Sequence, residues 1–247
     1  MTRQFSNFAD IYTLAASRKG GEEALLALLP DVPTTEQLAQ VSDDRFLAMM
    51  CKAINQAGFN WTVINNKWPQ FEEAFHGFDV NRLVFMPPEQ WEAYASDKRV
   101  VRNWTKIKAV MENAGLVHFL AAEHGSFARF IADWPESDQI GLLAYLKKHG
   151  SRLGGNTGYW FLRYVGKDCF VTTRDVIKTV QQAGHDIHHH PTSKRDLTQV
   201  QEAFNRWHQE TGMPYTHLSK IAGFASGENH PVDQLQRRIN VTKSKSD

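Results

Sequence analysis

The sequence predicts an all-α protein, a compact multi-helix globule with a cleft between two helical halves. Three observations predict it. Apolar side chains recur at three- and four-residue spacings in more than ten segments. No run alternates apolar and polar residues long enough to make a strand, and no solenoid-like period runs through the 247 residues. At 42% hydrophobic residues the chain can build a substantial core. The expected organisation is a single unit over 1–247: packing helices at 1–40, a central helical part with the binding pocket at 41–135, and a glycine hairpin with the C-terminal helices at 136–240.

Residues 5–40 read as short helices broken by Gly20-Gly21, Pro30 and Pro33, a part suited to packing rather than chemistry. Ser42 is a cap for the next helix, with Asp43 and Asp44 in its first turn, where carboxylates suit the helix dipole. Phe46, Met50, Ala53 and Ala57 then mark one face, and Gly58 ends the helix. Asn60-Trp61-Thr62-Val63-Ile64 resumes an apolar pattern, and Trp68-Pro69 is expected to open a separate helix with proline in its first turn. Val80 to Phe85 reads as a connector, and Pro88 starts a helix. A longer helix follows through Val101, Trp104, Ile107, Met111 and Ala114, with Arg99, Arg102, Lys106 and Lys108 on a solvated polar face.

Helices are then expected at 126–134, 137–148, 157–165 and 172–183, at the segment carrying Leu197, Val200, Phe204 and Trp207 behind a Thr192 or Ser193 cap, and from Pro214 to about Gly223. The loop His185 to Pro191 holds three adjacent histidines. Adjacent side chains do not converge on one ion, so a solvated loop is the reading and no metal site is expected. The tail Val241 to Asp247 is expected to fray.

No run of about 18 apolar residues is present, so no membrane span is expected. The start Met1-Thr2-Arg3-Gln4-Phe5 lacks a basic-then-apolar leader pattern. A cytoplasmic location follows as the expectation. Cys51 and Cys169 stand far apart in no metal-ligand spacing and read as reduced, buried thiols.

The net charge of +1 conceals an uneven distribution. Residues 1–50 hold four basic against seven acidic side chains, net −3, whereas residues 147–178 hold seven basic against two acidic, net +5. The basic segment surrounds Gly150-Ser151-Arg152-Leu153-Gly154-Gly155-Asn156-Thr157-Gly158, a glycine-dense turn between two helical stretches. Backbone N–H groups and a helix N-terminus facing outward, with no side chains in the way, make a phosphate cradle. A tight corner between two helices accounts for the glycines equally well. The acid downstream favours the cradle: Asp175 lies 20 residues after Gly155, at the start of the next helix.

With that hairpin the chain resembles a helix-hairpin-helix DNA glycosylase. From about Phe46 to Gly166 it resembles, more narrowly, the 3-methyladenine DNA glycosylase I family. Gln56-Ala57-Gly58-Phe59-Asn60-Trp61, Phe75-His76-Gly77-Phe78-Asp79, Val101-Arg102-Asn103-Trp104-Thr105-Lys106-Ile107, Asn113-Ala114 and Gly154-Gly155-Asn156-Thr157 stand in the family's order. The resemblance implies base flipping from alkylated double-stranded DNA by a monomer, in a bacterium associated with the nucleoid. It implies that Trp61 stacks on the extruded base, where a cationic ring gains cation–π energy that a normal base does not. Gln56 and Asn60 join Trp61 in the pocket, and Phe59 beside Gly58 is the wedge that fills the gap in the stack. Lys148, Gly150, Arg152, Gly154, Gly155, Asn156, Thr157, Gly158 and Arg174 hold the DNA backbone.

Two departures stand out. The family's glutamate aligns with Ala53, which carries no charge, and the zinc site that staples the family's termini has no cysteines here. Asp175 is the expected substitute as catalytic acid, although alignment on Thr157 puts Arg174 in the same slot. An alkylated purine leaves as a neutral base, so the chemistry asks for an anion near the sugar and a positioned water in a shielded site. No lysine stands in this register for a Schiff base, so a monofunctional enzyme is expected, without a cofactor or with a monovalent cation on the hairpin carbonyls. With Ala53 in the glutamate's place, the alternatives are a non-catalytic DNA-binding protein that keeps the hairpin, and an α-helical interaction protein without a nucleic acid partner.

Overall fold

The computed structural model describes residues 5–236. Regular structure among them is helical, in the order α1 (Phe8–Lys19), α2 (Glu22–Leu26), α3 (Thr35–Ala39), α4 (Asp43–Gln56), α5 (Trp61–Ala74), α6 (Val80–Val84), α7 (Pro88–Ala93), α8 (Trp104–His124), α9 (Phe127–Asp133), α10 (Gln139–His149), α11 (Asn156–Val165), α12 (Arg174–Gln182), α13 (Lys194–Thr211) and α14 (Tyr215–Ser226). No helix among these residues is long and apolar enough to cross a membrane. The segment Val241 to Asp247, expected to fray, lies outside the described residues.

Short polar side chains set most helix starts. Asn60, Asp79, Asn103, Ser126, Thr173 and Ser193 each accept a backbone N–H from the first turn of α5, α6, α8, α9, α12 and α13, a contribution of about 1 kcal/mol apiece. Ser42 occupies the cap position of α4 without that bond. Its hydroxyl serves the Asp44 carboxylate instead.

Three expectations change in the structure. Trp61 and Trp68 belong to one helix, with Pro69 inside it. Proline there removes one N–H and leaves the Asn65 carbonyl without its helical donor, a loss that the helix absorbs with Phe71 and Ala74 packed into the core. The connector at Val80 to Phe85 is α6, started by Asp79, which accepts from Arg82 N at 3.0 Å. Lys106, placed on a solvated face, is only 6% exposed because its ammonium donates to two backbone carbonyls described below.

Contacts divide the chain into two compact units, Pro33–Lys167 and Met1–Val32 with Asp168–Asp247. In Pro33–Lys167 the central element is α4, packed on α8, α9 and α11. Phe46 on its buried face meets Phe127 and Phe161 with ring centres 5.5 and 6.4 Å apart. A second aromatic group, Phe71, Phe75, Phe78, Trp91 and Tyr94, lies at the end of α5, and the Tyr94 hydroxyl donates to Ala74 O at 2.6 Å. Arg45 ties α4 to this group by a two-pronged bond to Glu72 (2.9 and 3.1 Å) and a bond to Gly77 O (2.7 Å), the geometry in which arginine outperforms lysine.

In the other unit α1 and α12 pack on α14, around Phe8, Phe170, Phe204 and Trp207. α1 is tied to α13 here: Phe8 N donates to Glu210 at 3.1 Å. Residues 168–173 run extended along α14. The buried Asp168 carboxylate accepts from Tyr215 N (2.9 Å) and Thr216 N (2.7 Å), and Val171 N donates to the Ser219 hydroxyl (3.0 Å). Asp168 thus satisfies two N–H groups at the start of α14, and Asp168→Ala is expected to cost about 2–4 kcal/mol by stranding both. Chemical denaturation checks this, and a loss under about 1 kcal/mol, the value of an ordinary exposed cap, would contradict it.

Candidate functional site

The glycine turn is a hairpin between α10 and α11, within Pro33–Lys167. α10 closes with Lys147, Lys148 and His149, all exposed, and Arg152 at the tip has a left-handed φ of 58°. Gly155 starts α11 at φ 57° and ψ −141°, a conformation essentially confined to glycine. It supplies no side-chain cap, so no Gly155 side chain occupies the N-terminal end of α11, where helix N–H groups lack helical acceptors. Gly158 is needed for closeness: a Cβ there would stand 2.5 Å from Leu153 O.

The hairpin is held to α8 by one side chain. Asn113, fully buried, donates to Ser151 O at 3.0 Å and accepts from Ser151 N at 2.8 Å. One amide therefore satisfies both backbone groups of Ser151, as a strand partner would.

The second part is the corner between α4 and α5. Gln56 ends α4, Gly58 turns the chain, Phe59 is 46% exposed, and Asn60 caps α5 through its side-chain oxygen (Thr62 N, 2.9 Å). Beneath the corner, Lys106 Nζ donates to Asn55 O and Ala57 O, both at 3.0 Å, and lies 4.7 Å from the centre of the Phe59 ring. A cation on the last carbonyls of α4 suits its dipole, and the ring face gains from the same charge. Burial lowers the Lys106 pKa, and Arg152 lowers it further, so the lysine under Phe59 and the hairpin tip are electrostatic neighbours.

Trp61, 42% exposed, meets Trp160 of α11 edge to face, with ring centres 5.1 Å apart. Trp160 lies 5.9 Å from Tyr164 one turn on. The Tyr164 hydroxyl donates to Gln56 Oε1 at 2.8 Å, while Gln56 Nε2 donates to Asn65 Oδ1 at 3.0 Å. Burial pushes the Tyr164 hydroxyl well above the usual phenol range, so it stays protonated. Ala53 is buried in α4 and brings no polar atom. A separate recess of about 620 Å³ is lined by Asp43, Asp44, Asp79 and His118 among others.

Arg174 and Asp175 stand in the other unit, in the first turn of α12 behind the Thr173 cap. Asp175 lies against Gly227, where a Cβ would be 2.6 Å from Oδ2.

A model of the methyladenine glycosylase family matches residues 37–162, just over half the chain, and that stretch contains the corner, the Asn113 clamp and the hairpin. The chain belongs to the methyladenine glycosylase family. It is similar to DNA-3-methyladenine glycosylase 1 of Escherichia coli K12, 28% identical over 75 residues, and to DNA-3-methyladenine glycosylase of Haemophilus influenzae Rd, 25% identical over 75 residues. In each case the matched stretch covers 30% of this chain and 40% of the relative's length. Among solved structures it is similar to 3-methyladenine DNA glycosylase I of Staphylococcus aureus, with 21% identity, a TM-score of 0.45, and coverage of 51% of this chain and 77% of that one.

Within this member of the methyladenine glycosylase family the structure gathers Gln56, Phe59, Trp61, Arg152 and the hairpin glycines into one unit. Asp175 and Arg174 fall outside the matched residues. Sequence reasoning missed Trp160, Tyr164, Asn65 and the work of Asn113 and Lys106. The aromatic pair Trp160 and Tyr164, one helical turn apart just after the hairpin, was a signal available in the sequence. The partner of Gln56 at a separation of 108 residues was not.

Proposed function

We propose that the protein is a monofunctional DNA glycosylase that flips an alkylated purine, 3-methyladenine foremost, from double-stranded DNA and hydrolyses its N-glycosidic bond as a monomer. The observation that carries this reading is the half-exposed Trp61 set edge to face against Trp160, five residues after the hairpin glycine Gly155. A π face open to solvent beside a backbone-binding turn suits a cationic flipped base. The hairpin N–H groups and Lys147, Lys148 and Arg152 would position the duplex, and Phe59, rigid on its lysine support, would fill the vacated stack.

The bond to be broken is already activated. Its electrons stay with the departing purine, which becomes neutral; water adds to the sugar carbon and releases a proton. The chain has to supply an anion for the developing sugar cation and a shielded site. Asp175 is the proposed anion, on the strength of its position 20 residues past Gly155. The test is release of 3-methyladenine from methylated duplex DNA by the wild type, with loss of turnover and retained DNA affinity in Asp175→Asn. An Asp175→Asn variant at the wild-type rate moves the anion elsewhere.

Ala53, buried where the family's glutamate is expected, favours a second reading, a DNA-binding protein without turnover. That reading requires steeply salt-dependent duplex binding with no base released from any lesion.

A further inference from the structure

The chain of hydrogen bonds behind Trp61 has a direction. Asn65 Oδ1 accepts a hydrogen bond from Gln56 Nε2, which turns Gln56 Oε1 toward Tyr164, and that oxygen accepts a hydrogen bond from the Tyr164 hydroxyl. A phenol has one proton, so the Tyr164 oxygen has only lone pairs left for anything else. Tyr164 is part-exposed; its ring is tilted 31° from Trp160, whose plane stands at 87° to Trp61. A purine stacked parallel to Trp61 would stand across the Trp160–Tyr164 surface and turn an edge toward Tyr164. An exocyclic amino group donates to its oxygen, whereas a keto oxygen meets it lone pair to lone pair.

Resting on the glycosylase reading, we propose that Tyr164 is a specificity-determining residue, held as a pure acceptor by the Asn65–Gln56 relay, and that it selects alkylated purines with an amino group at ring position 6 over those with a keto oxygen there. Asn65 and Gln56 act through it as positioning residues. Discrimination by one such contact is worth about 5- to 150-fold.

The test compares release of 3-methyladenine with release of 3-methylguanine from the same methylated duplex. Both are N3-methyl cations, and at position 6 they differ as amino and keto. The wild type is expected to favour 3-methyladenine at least tenfold. Tyr164→Phe, which keeps the ring and removes the acceptor, is expected to bring the ratio down about tenfold with undamaged-duplex affinity little changed, while the melting temperature falls because the buried Gln56 oxygen loses its donor. Asn65→Leu, which frees the Gln56 amide to turn and donate to Tyr164, is expected to lower the ratio in the same direction. A ratio unchanged in Tyr164→Phe overturns the proposal.

Binding of the free bases, followed by tryptophan fluorescence, separates this from failure of the glycosylase reading. If the wild type releases nothing but still binds free 3-methyladenine more tightly than 3-methylguanine, and Tyr164→Phe abolishes the difference, recognition stands and catalysis falls. Equal binding of the two bases by the wild type sinks the recognition proposal whatever the turnover.

Discussion

Trp61→Ala is expected to slow 3-methyladenine release by about 5- to 150-fold, the rate equivalent of the 1–3 kcal/mol typical of a base stacked on an aromatic side chain. The fold should survive, because Trp61 is 42% exposed and sits at the first position of a helix that Asn60 caps independently. Trp61→Phe should recover part of the rate, since a smaller ring retains a weaker cation–π surface. Single-turnover rates with melting curves for the three proteins decide it. A rate within twofold of wild type in Trp61→Ala would show that the base does not rest on this ring. A collapse in melting temperature would show that Trp61 is a packing residue.

The second large effect is expected at Asn113, and here stability and binding fall together. Asn113→Ala strands the N–H and C=O of Ser151 next to a buried void, a loss of about 2–4 kcal/mol, and frees the hairpin from α8. Duplex affinity should drop with it, because the hairpin N–H groups are useful only while their geometry is fixed. Asn113→Asp is the sharper variant: it keeps an acceptor for Ser151 N but sets a carboxylate against Ser151 O, so it should be at least as damaging as alanine. Fluorescence anisotropy on undamaged duplex, read beside denaturation, checks both. Normal affinity in a destabilised Asn113→Ala would show that the hairpin is not the anchor.

What the sequence conveyed follows from how local each signal was. The hairpin was readable because its four glycines, its flanking lysines and the apolar turns on either side lie within a few dozen residues of one another. Phe59 and Trp61 were singled out through the resemblance of the Gln56-to-Trp61 stretch to the family, and the structure places both at the exposed corner between α4 and α5. Lys106 was misread because a charged residue on a helix is ordinarily solvated; the carbonyls it binds belong to α4, about 50 residues earlier. The continuity of α5 through Pro69 was hidden by a residue whose usual meaning is a helix start. The contact of α1 with α13 was equally out of reach, since nothing local in Phe8 points to Glu210 or Trp207.

These non-local contacts also bear on the question that Ala53 raises. A buried alanine cannot orient a base or stabilise a charge. The hydrogen-bonded side chains behind Trp61 are instead Gln56, Tyr164 and Asn65; in the proposal Tyr164 alone meets the base edge, and the anion comes from a different residue. Recognition and charge stabilisation, combined in one glutamate by the resemblance, are on this account divided between two places in the chain.

The most direct measurement is release of free base from methylated duplex DNA by the purified protein, separated by chromatography and compared with Trp61→Ala and Asp175→Asn. The account predicts 3-methyladenine as the main product, released by the wild type and strongly reduced in both variants, with no strand cleavage. No base released above the spontaneous rate, by a wild-type protein that binds the same duplex, would contradict it and leave a binding protein in its place.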